Sequence, residues 1–270
     1  MPKTFFDNTV MKKLRNGEPV SATWSQLGSA QCTEILAEAG FDVIVIDMEH
    51  SQLTLPDLTT MMMAMKGTDA IPIVRAPWND MVWCKQILDC GAYGIHIPYV
   101  STKEEAEYAV KSCKYALEGF RGIASTHRAV DYGLKKKEYW ARANDDIIVM
   151  IAIETPEGVA NIDEIASVKG VDGIFIGPSD LSTSMGHFVT PSHPEVQDAI
   201  RKVEKSAKAH GKFLGTIAAD MEAAKALYDR GYSIVYFMSD AVSLGNMAAK
   251  QVAGFNEYMS ARTEKEDKNV

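Results

Sequence analysis

Seven glycines and one asparagine hold the same place in a repeating pattern, and that pattern restricts the fold more than any other feature of the chain. Gly17, Gly40, Gly67, Gly91, Gly170, Gly211 and Gly231 each stand shortly before an apolar run, with Asn144 in the corresponding place before the fifth. Both residue types tolerate the left-handed backbone that ends a helix. The runs are Val20–Trp24, Val43–Asp47, Ile71–Arg75, Tyr93–Ile97, Ile147–Glu154, Gly173–Ile176, Phe213–Ile217 and Ser233–Phe237. They are short and rich in Val and Ile, which predicts strands buried on both faces.

Segments with helical spacing fill the gaps, as in Glu34, Ile35, Leu36, Glu38 and Ala39, and Ser29, Asn79 and Asp220 are placed to cap free N–H groups. Eight units of helix, stop and parallel strand predict an α/β fold, a single (β/α)8 TIM barrel. An open doubly wound sheet is disfavoured, because Trp24-Ser25-Gln26-Leu27-Gly28-Ser29 after the first run has no Gly-x-Gly-x-x-Gly. One catalytic domain is expected over residues 1–260, C-terminal helix included, with a frayed polar tail from Ala261 to Val270. The stretch Tyr115–Asp146 is too long for one connection and reads as an elaborated loop after the fourth strand, on the active face.

Whole-chain properties exclude several classes. The formal net charge is −8 and the basic residues are scattered, so nucleic acid is not an expected partner. Cys32, Cys84, Cys90 and Cys113 contain no Cys-x-x-Cys pair, which argues against a zinc site or a disulfide framework and fits a reducing cytoplasm. Met1 to Arg15 has no signal-peptide stretch, and no run approaches the ~20 apolar residues of a membrane span.

Barrel chemistry takes place at the C-terminal ends of the strands, so the polar residues closing each run are the candidates. The second run ends in Asp47-Met48-Glu49-His50, the third in Arg75, the fifth in Glu154 and the sixth in Gly177-Pro178-Ser179-Asp180. Two carboxylates from neighbouring strands make a hard oxygen site suited to Mg2+ or Mn2+. The alternative is that these acids cap helices or pair with Arg75. His50 carries an imidazole, the side-chain type suited to moving a proton at neutral pH, with Asp47 fixing its tautomer; otherwise it is a structural histidine. Arg75 is placed to stabilise an oxyanion or to pair with Glu49. His96 and His187 read as satisfying local hydrogen bonds, or else as lining the mouth, and the Met61–Met65 run as helical core. No lysine ends a strand, which leaves a Schiff base without a nucleophile, and Ala218-Ala219-Asp220 and Met238-Ser239-Asp240 lack the glycines of a phosphate site.

The motifs Asp47-Met48-Glu49-His50-Ser51, Ile73-Val74-Arg75, Leu88-Asp89-Cys90-Gly91, Gly119-Phe120-Arg121-Gly122, Ile153-Glu154-Thr155 and Gly177-Pro178-Ser179-Asp180-Leu181-Ser182 occur in order. Together they resemble the HpcH/HpaI aldolase family from about Val20 to about Gly245. The resemblance implies a metal-dependent (class II) pyruvate aldolase that reversibly cleaves 4-hydroxy-2-oxo acids to pyruvate and an aldehyde through a metal-bound pyruvate enolate. It also implies Glu154 and Asp180 as metal ligands, for Mg2+ or else Mn2+ or Co2+. Arg75 becomes the enolate-stabilising group, His50 and Asp47 the acid–base pair, and Gly177, Pro178, Ser179 and Asp180 the holders of the substrate carboxylate. A hexamer with exchanged C-terminal helices, here Leu244 to Met259, is implied as well. Ala152 and Met238 depart from the family's usual Gln and Gly beside the metal. Alternatives are an oxaloacetate decarboxylase, a CoA-ester lyase of the citrate-lyase β type, a keto-acid isomerase and a non-catalytic keto-acid-binding protein.

Overall fold

The computed structural model describes residues 6–267, with side chains described through residue 263. The first half of the chain runs α1 (Thr9–Arg15), β1 (Val20–Ser25), α2 (Ala30–Glu38), β2 (Val43–Asp47), α3 (Leu55–Ala64), β3 (Ile71–Arg75), α4 (Met81–Asp89), β4 (Gly94–Ile97) and α5 (Lys103–Cys113). A 3-10 turn over Arg128–Gly133 precedes α6 (Lys136–Trp140), α7 (Ala143–Asp146) and β5 (Ile148–Ile153). Then follow α8 (Pro156–Ala160), α9 (Ile162–Ser167), β6 (Gly173–Ile176), α10 (Pro178–Ser184), α11 (Pro194–Ala209), β7 (Phe213–Ile217), α12 (Met221–Asp229), β8 (Ile234–Ser239) and α13 (Asp240–Asp267). The eight strands pair in sequence order, all parallel, and β8 closes onto β1 as expected for a (β/α)8 barrel.

Alternation along the strands explains why the polar residues gather. Val43 and Val45 of β2, Ile71 and Ile73 of β3, and Ile148, Met150 and Ala152 of β5 belong to the core inside the barrel. Two residues further on, the same inward direction falls on Asp47, Arg75 and Glu154, at the C-terminal mouth. The outward residues, Ile44, Ile46, Val74, Val149, Ile151 and Ile153 among them, pack with the helices in a second core. At the other end α1 inserts Val10, Met11 and Leu14 into the inner core and plugs the barrel.

All seven glycine stops have positive φ, from 64° at Gly211 to 106° at Gly91. Asn144 does not follow them. It lies within α7, where its amide bridges the Tyr115 backbone in both directions, accepting from N at 2.8 Å and donating to O at 3.1 Å. Ser29 and Asp220 cap α2 and α12, but Asp80 and not Asn79 caps α4, since its carboxylate reaches two backbone N–H groups.

The segment Tyr115–Asp146 lies at the opposite end from the one expected. Because α5 carries the chain back along the barrel first, the segment packs beneath it. Tyr139 meets Phe6, Asn8 bonds to Asp146 O at 2.6 Å, and Arg128 reaches Cys90 O and Met62 O. A cavity of about 460 Å³ opens here between Phe6, Met62, Pro72, Tyr93 and Arg128, remote from the strand-end acids.

Helix α13 leaves the barrel at once. Every described residue from Leu244 to Thr263 is exposed, including Leu244, Met247, Val252, Phe255, Tyr258 and Met259. The polar stretch expected to fray from Ala261 instead continues the helix to Asp267, as suits its Ala, Arg, Glu and Lys; the last three residues of that expected tail lie outside the described range. No helix among the described residues is long and apolar enough to cross a membrane.

Candidate active site

Asp47 and Arg75 face each other across the β2–β3 register and form a two-pronged ion pair, Nε to Oδ1 at 3.0 Å and Nη2 to Oδ2 at 2.7 Å. Both side chains are buried. Gln26 donates to Asp47 Oδ2 at 2.9 Å and is itself held by Ser239 Oγ at 2.8 Å. The Arg75 guanidinium lies over the Trp24 ring, 4.4 Å from its centroid, and Nη1 pairs with Glu49 Oε2 at 3.2 Å. This encloses the cation on three sides and fixes its direction. Burial works to raise the Asp47 carboxyl, yet Arg75 and Gln26 hold it below its usual range. Sequence reading offered an oxyanion role or a Glu49 pairing for Arg75, and the geometry contains the pairing without blocking the role.

His50 sits beyond this pair with its ring exposed and Nε2 3.9 Å from Glu49 Oε2. Asp47 does not fix its tautomer as expected. The carboxylate is committed to Arg75 and reaches His50 only through the backbone N–H, at 3.2 Å, with the Glu49 N–H beside it at 3.1 Å.

Across the mouth, β5 and β6 bring Glu154 and Asp180 together, since Ile153 and Ile176 are paired and Glu154 and Gly177 follow them. Gly177 makes room for the Glu154 side chain: a Cβ there would stand 2.5 Å from Glu154 Oε1. Pro178 opens α10, whose first turn carries Ser179 and Asp180 with their backbone N–H groups unpaired within the helix. Glu154 is buried, and its Oε2 accepts from Tyr99 N at 3.0 Å. Tyr99 makes that contact from a positive φ of 52° and stacks on Trp78 at the rim.

This half lacks counter-charge. Burial raises Glu154 to about 7 and the Glu49 and Asp180 charges add to the shift, while burial and the Asp47 and Asp180 charges likewise hold Glu49 near 7 against the pull of Arg75. A divalent cation would relieve that repulsion, and the donors are all oxygens, so the residues present fit a hard ion held by Glu154 and Asp180 with water completing the shell.

Below the mouth, His96 is fully buried among Trp24, Phe175 and Tyr236, and neither ring nitrogen has a partner among the described residues. Local hydrogen bonds were expected for it; burial first, and Arg75 second, instead depress it to about 3 and keep it neutral. Ala152 is fully buried and Met238 partly so. Trp24, Gln26, Glu49 and Tyr99 are site residues that sequence reading did not assign. Glu49 lay inside the quoted Asp-Met-Glu-His run, and Trp24 and Gln26 end the first strand, so strand-end position was the available signal.

The (β/α)8 barrel thus sets a buried, paired arginine across its mouth from acids whose oxygens a divalent cation would suit. The family model described as HpcH/HpaI aldolase/citrate lyase matches residues 21–246, and the chain belongs to that family. It is 41% identical over 240 residues to 5-keto-4-deoxy-D-glucarate aldolase of Escherichia coli (strain K12 / DH10B), covering 89% of this chain and 93% of the relative. A solved HpcH/HpaI aldolase/citrate lyase family protein from Burkholderia cenocepacia J2315 superposes with a TM-score of 0.88 at 31% identity, covering 93% of this chain and all of that one. The citrate synthase SbnG superposes at 0.84 with 26% identity, covering 93% and 99%. The chain is thus a class II aldolase.

Proposed function

We propose that this chain cleaves a 4-hydroxy-2-oxo sugar acid to pyruvate and an aldehyde, with Mg2+ at Glu154 and Asp180. The observation that carries the reading is the charge asymmetry of the mouth: an Arg75 paired with Asp47 and Glu49, opposite a buried Glu154 that has acids and, among the described residues, no basic side chain in contact. When bound, the cation would polarise the 2-oxo group as a Lewis acid. The backbone N–H groups of Ser179 and Asp180, beyond Gly177 and Pro178, hold the substrate carboxylate.

His50 takes the proton of the C4 hydroxyl, directly or through water. The C3–C4 bond then breaks, its electrons pass to C3 and the 2-oxo oxygen, and the aldehyde departs. Arg75 stabilises the enolate oxygen, and Asp47 holds Arg75 in direction. Protonation at C3 completes pyruvate; condensation reverses each step.

The relative's named compound, 5-keto-4-deoxy-D-glucarate, is the first substrate to try, because read from its keto end it is a 2-oxo-3-deoxy-4-hydroxy diacid. The apolar stripe on α13 supports a homo-oligomer, a hexamer by family resemblance, and the four free thiols support a cytoplasmic location.

Pyruvate release by EDTA-stripped protein, from 4-hydroxy-2-oxo acids and from oxaloacetate, tests this reading. Restoration by Mg2+, Mn2+ or Co2+ that Glu154→Gln abolishes is expected. Equal activity of the stripped protein would overturn it, and release from oxaloacetate alone would replace it with a decarboxylase.

A further inference from the structure

A second cluster of metal-ligand type lies outside the mouth, on residues 185–195 between α10 and α11. The His187 backbone N–H closes α10 by donating to Ser182 O at 2.8 Å, after Gly186 turns the chain with φ of +87°. His193 begins α11, its Nδ1 accepting from the Glu195 N–H at a long 3.3 Å. These two helix ends bring the imidazoles face to face, with centroids 3.5 Å apart and planes 17° from parallel. Glu195 Oε2 lies 2.8 Å from His187 Nε2.

One ligand atom from each of His187, His193 and Glu195 lies within 4.8 Å of the others. His193 Nδ1 already acts as an acceptor, toward the Glu195 N–H, and the Glu195 carboxylate stands against His187, so nitrogen and oxygen donors meet at one place. The ligands lie on backbone fixed by two helix ends, while the Glu195 side chain is largely exposed and free to turn inward. Because stacked rings aim their in-plane lone pairs side by side, binding requires the His193 ring to swing out of the stack, and what gives way is its long cap contact.

The chemistry of this donor set differs from that of the mouth. Glu154 and Asp180 offer oxygen alone, which suits Mg2+, whereas two imidazoles and a carboxylate suit a borderline transition ion. We propose that His187, His193 and Glu195 form a second metal site, for Zn2+ or a similar transition cation with water as fourth ligand. Bound there, the ion ties the end of α10, the helix that carries Asp180, to the start of α11.

The full-length chain with Glu154→Gln and Asp180→Asn silences the mouth and isolates the second site. Calorimetry should show one equivalent of Zn2+ and none of Mg2+, and added Co2+ should give a visible absorption band of tetrahedral type. Adding His187→Gln should abolish both signals; His193→Gln is the second variant, since His187 and His193 end different helices. In the otherwise unaltered protein His187→Gln should lower Zn2+ uptake from two equivalents to one and leave Mg2+-supported pyruvate release unchanged. No Zn2+ uptake by the silenced chain, or uptake that survives both histidine changes, overturns the proposal. Uptake by the silenced chain stands even if the mouth proves to bind no metal, so the two readings fail separately.

Discussion

The two halves of the barrel mouth solve the burial of charge in opposite ways. On the β2–β3 side Asp47 and Arg75 neutralise each other, Gln26 orients Asp47, and Glu49 lies against the guanidinium. On the β5–β6 side Glu154 has one backbone N–H and two acidic neighbours, and its charged form is disfavoured. The first half holds its cation in a buried, paired frame; in the second, burial and neighbouring acids work against the Glu154 charge. In the proposed reaction, preorganisation is placed where a fixed positive charge waits for a developing negative one.

That contrast predicts opposite consequences for substitutions in the two halves. Glu154→Gln should lower kcat/KM by about 10³-fold or more, the loss of a Lewis-acid contribution of several kcal/mol, yet leave the metal-free fold as stable as before or more so. A loss of activity accompanied by unfolding would break the comparison. Arg75→Ala should strip both, because Asp47 is left charged and buried without its partner; removing one member of a buried pair costs about 3–5 kcal/mol. Chemical denaturation measures it, and a variant of unaltered stability would mean the Asp47 pairing is not what holds that half together.

A smaller effect appears with pH. Glu154 titrates near 7 when folded and at its ordinary 4.5 when unfolded, so the folded state binds its proton more tightly. Its stability contribution is present below about 4.5 and is lost as pH rises through about 7. His96 works the other way between about 3 and 6.5, so the clean measurement is the difference between the metal-free protein and Glu154→Gln. That difference should move in favour of the variant from pH 5 to pH 8, and Mg2+ should offset it. A pH-independent difference would place Glu154 in the compensated class.

Much of this contrast was open to sequence reading, and the part that was not has a physical reason. Strands buried on both faces announce themselves by composition, and a glycine stop stands shortly before seven of the eight, so the barrel and the strand-end residues Asp47, Arg75, Glu154 and Asp180 were legible. Direction was not. Adjacency of Asp47 and His50 in the chain suggested a carboxylate–imidazole pair, whereas the strand aims Asp47 inward to Arg75 and leaves the His50 ring outside. Nor does segment length reveal which end of the barrel a loop covers, which is why Tyr115–Asp146 was placed at the wrong one. Asn144 was read by its backbone tolerance, but its amide contacts with Tyr115 decide its place. Trp24, Gln26 and Tyr99 act through contacts between strands that no single run displays.

Gly177 sets a boundary on how this enzyme can be remodelled. With Glu154 Oε1 2.5 Å from where any side chain would begin, every substitution at that codon has to displace the Glu154 carboxylate, and glycine should dominate the active members of a saturation library. Retargeting to a new aldehyde is therefore better sought elsewhere in the mouth, and a screen that spares position 177 gives up little useful diversity.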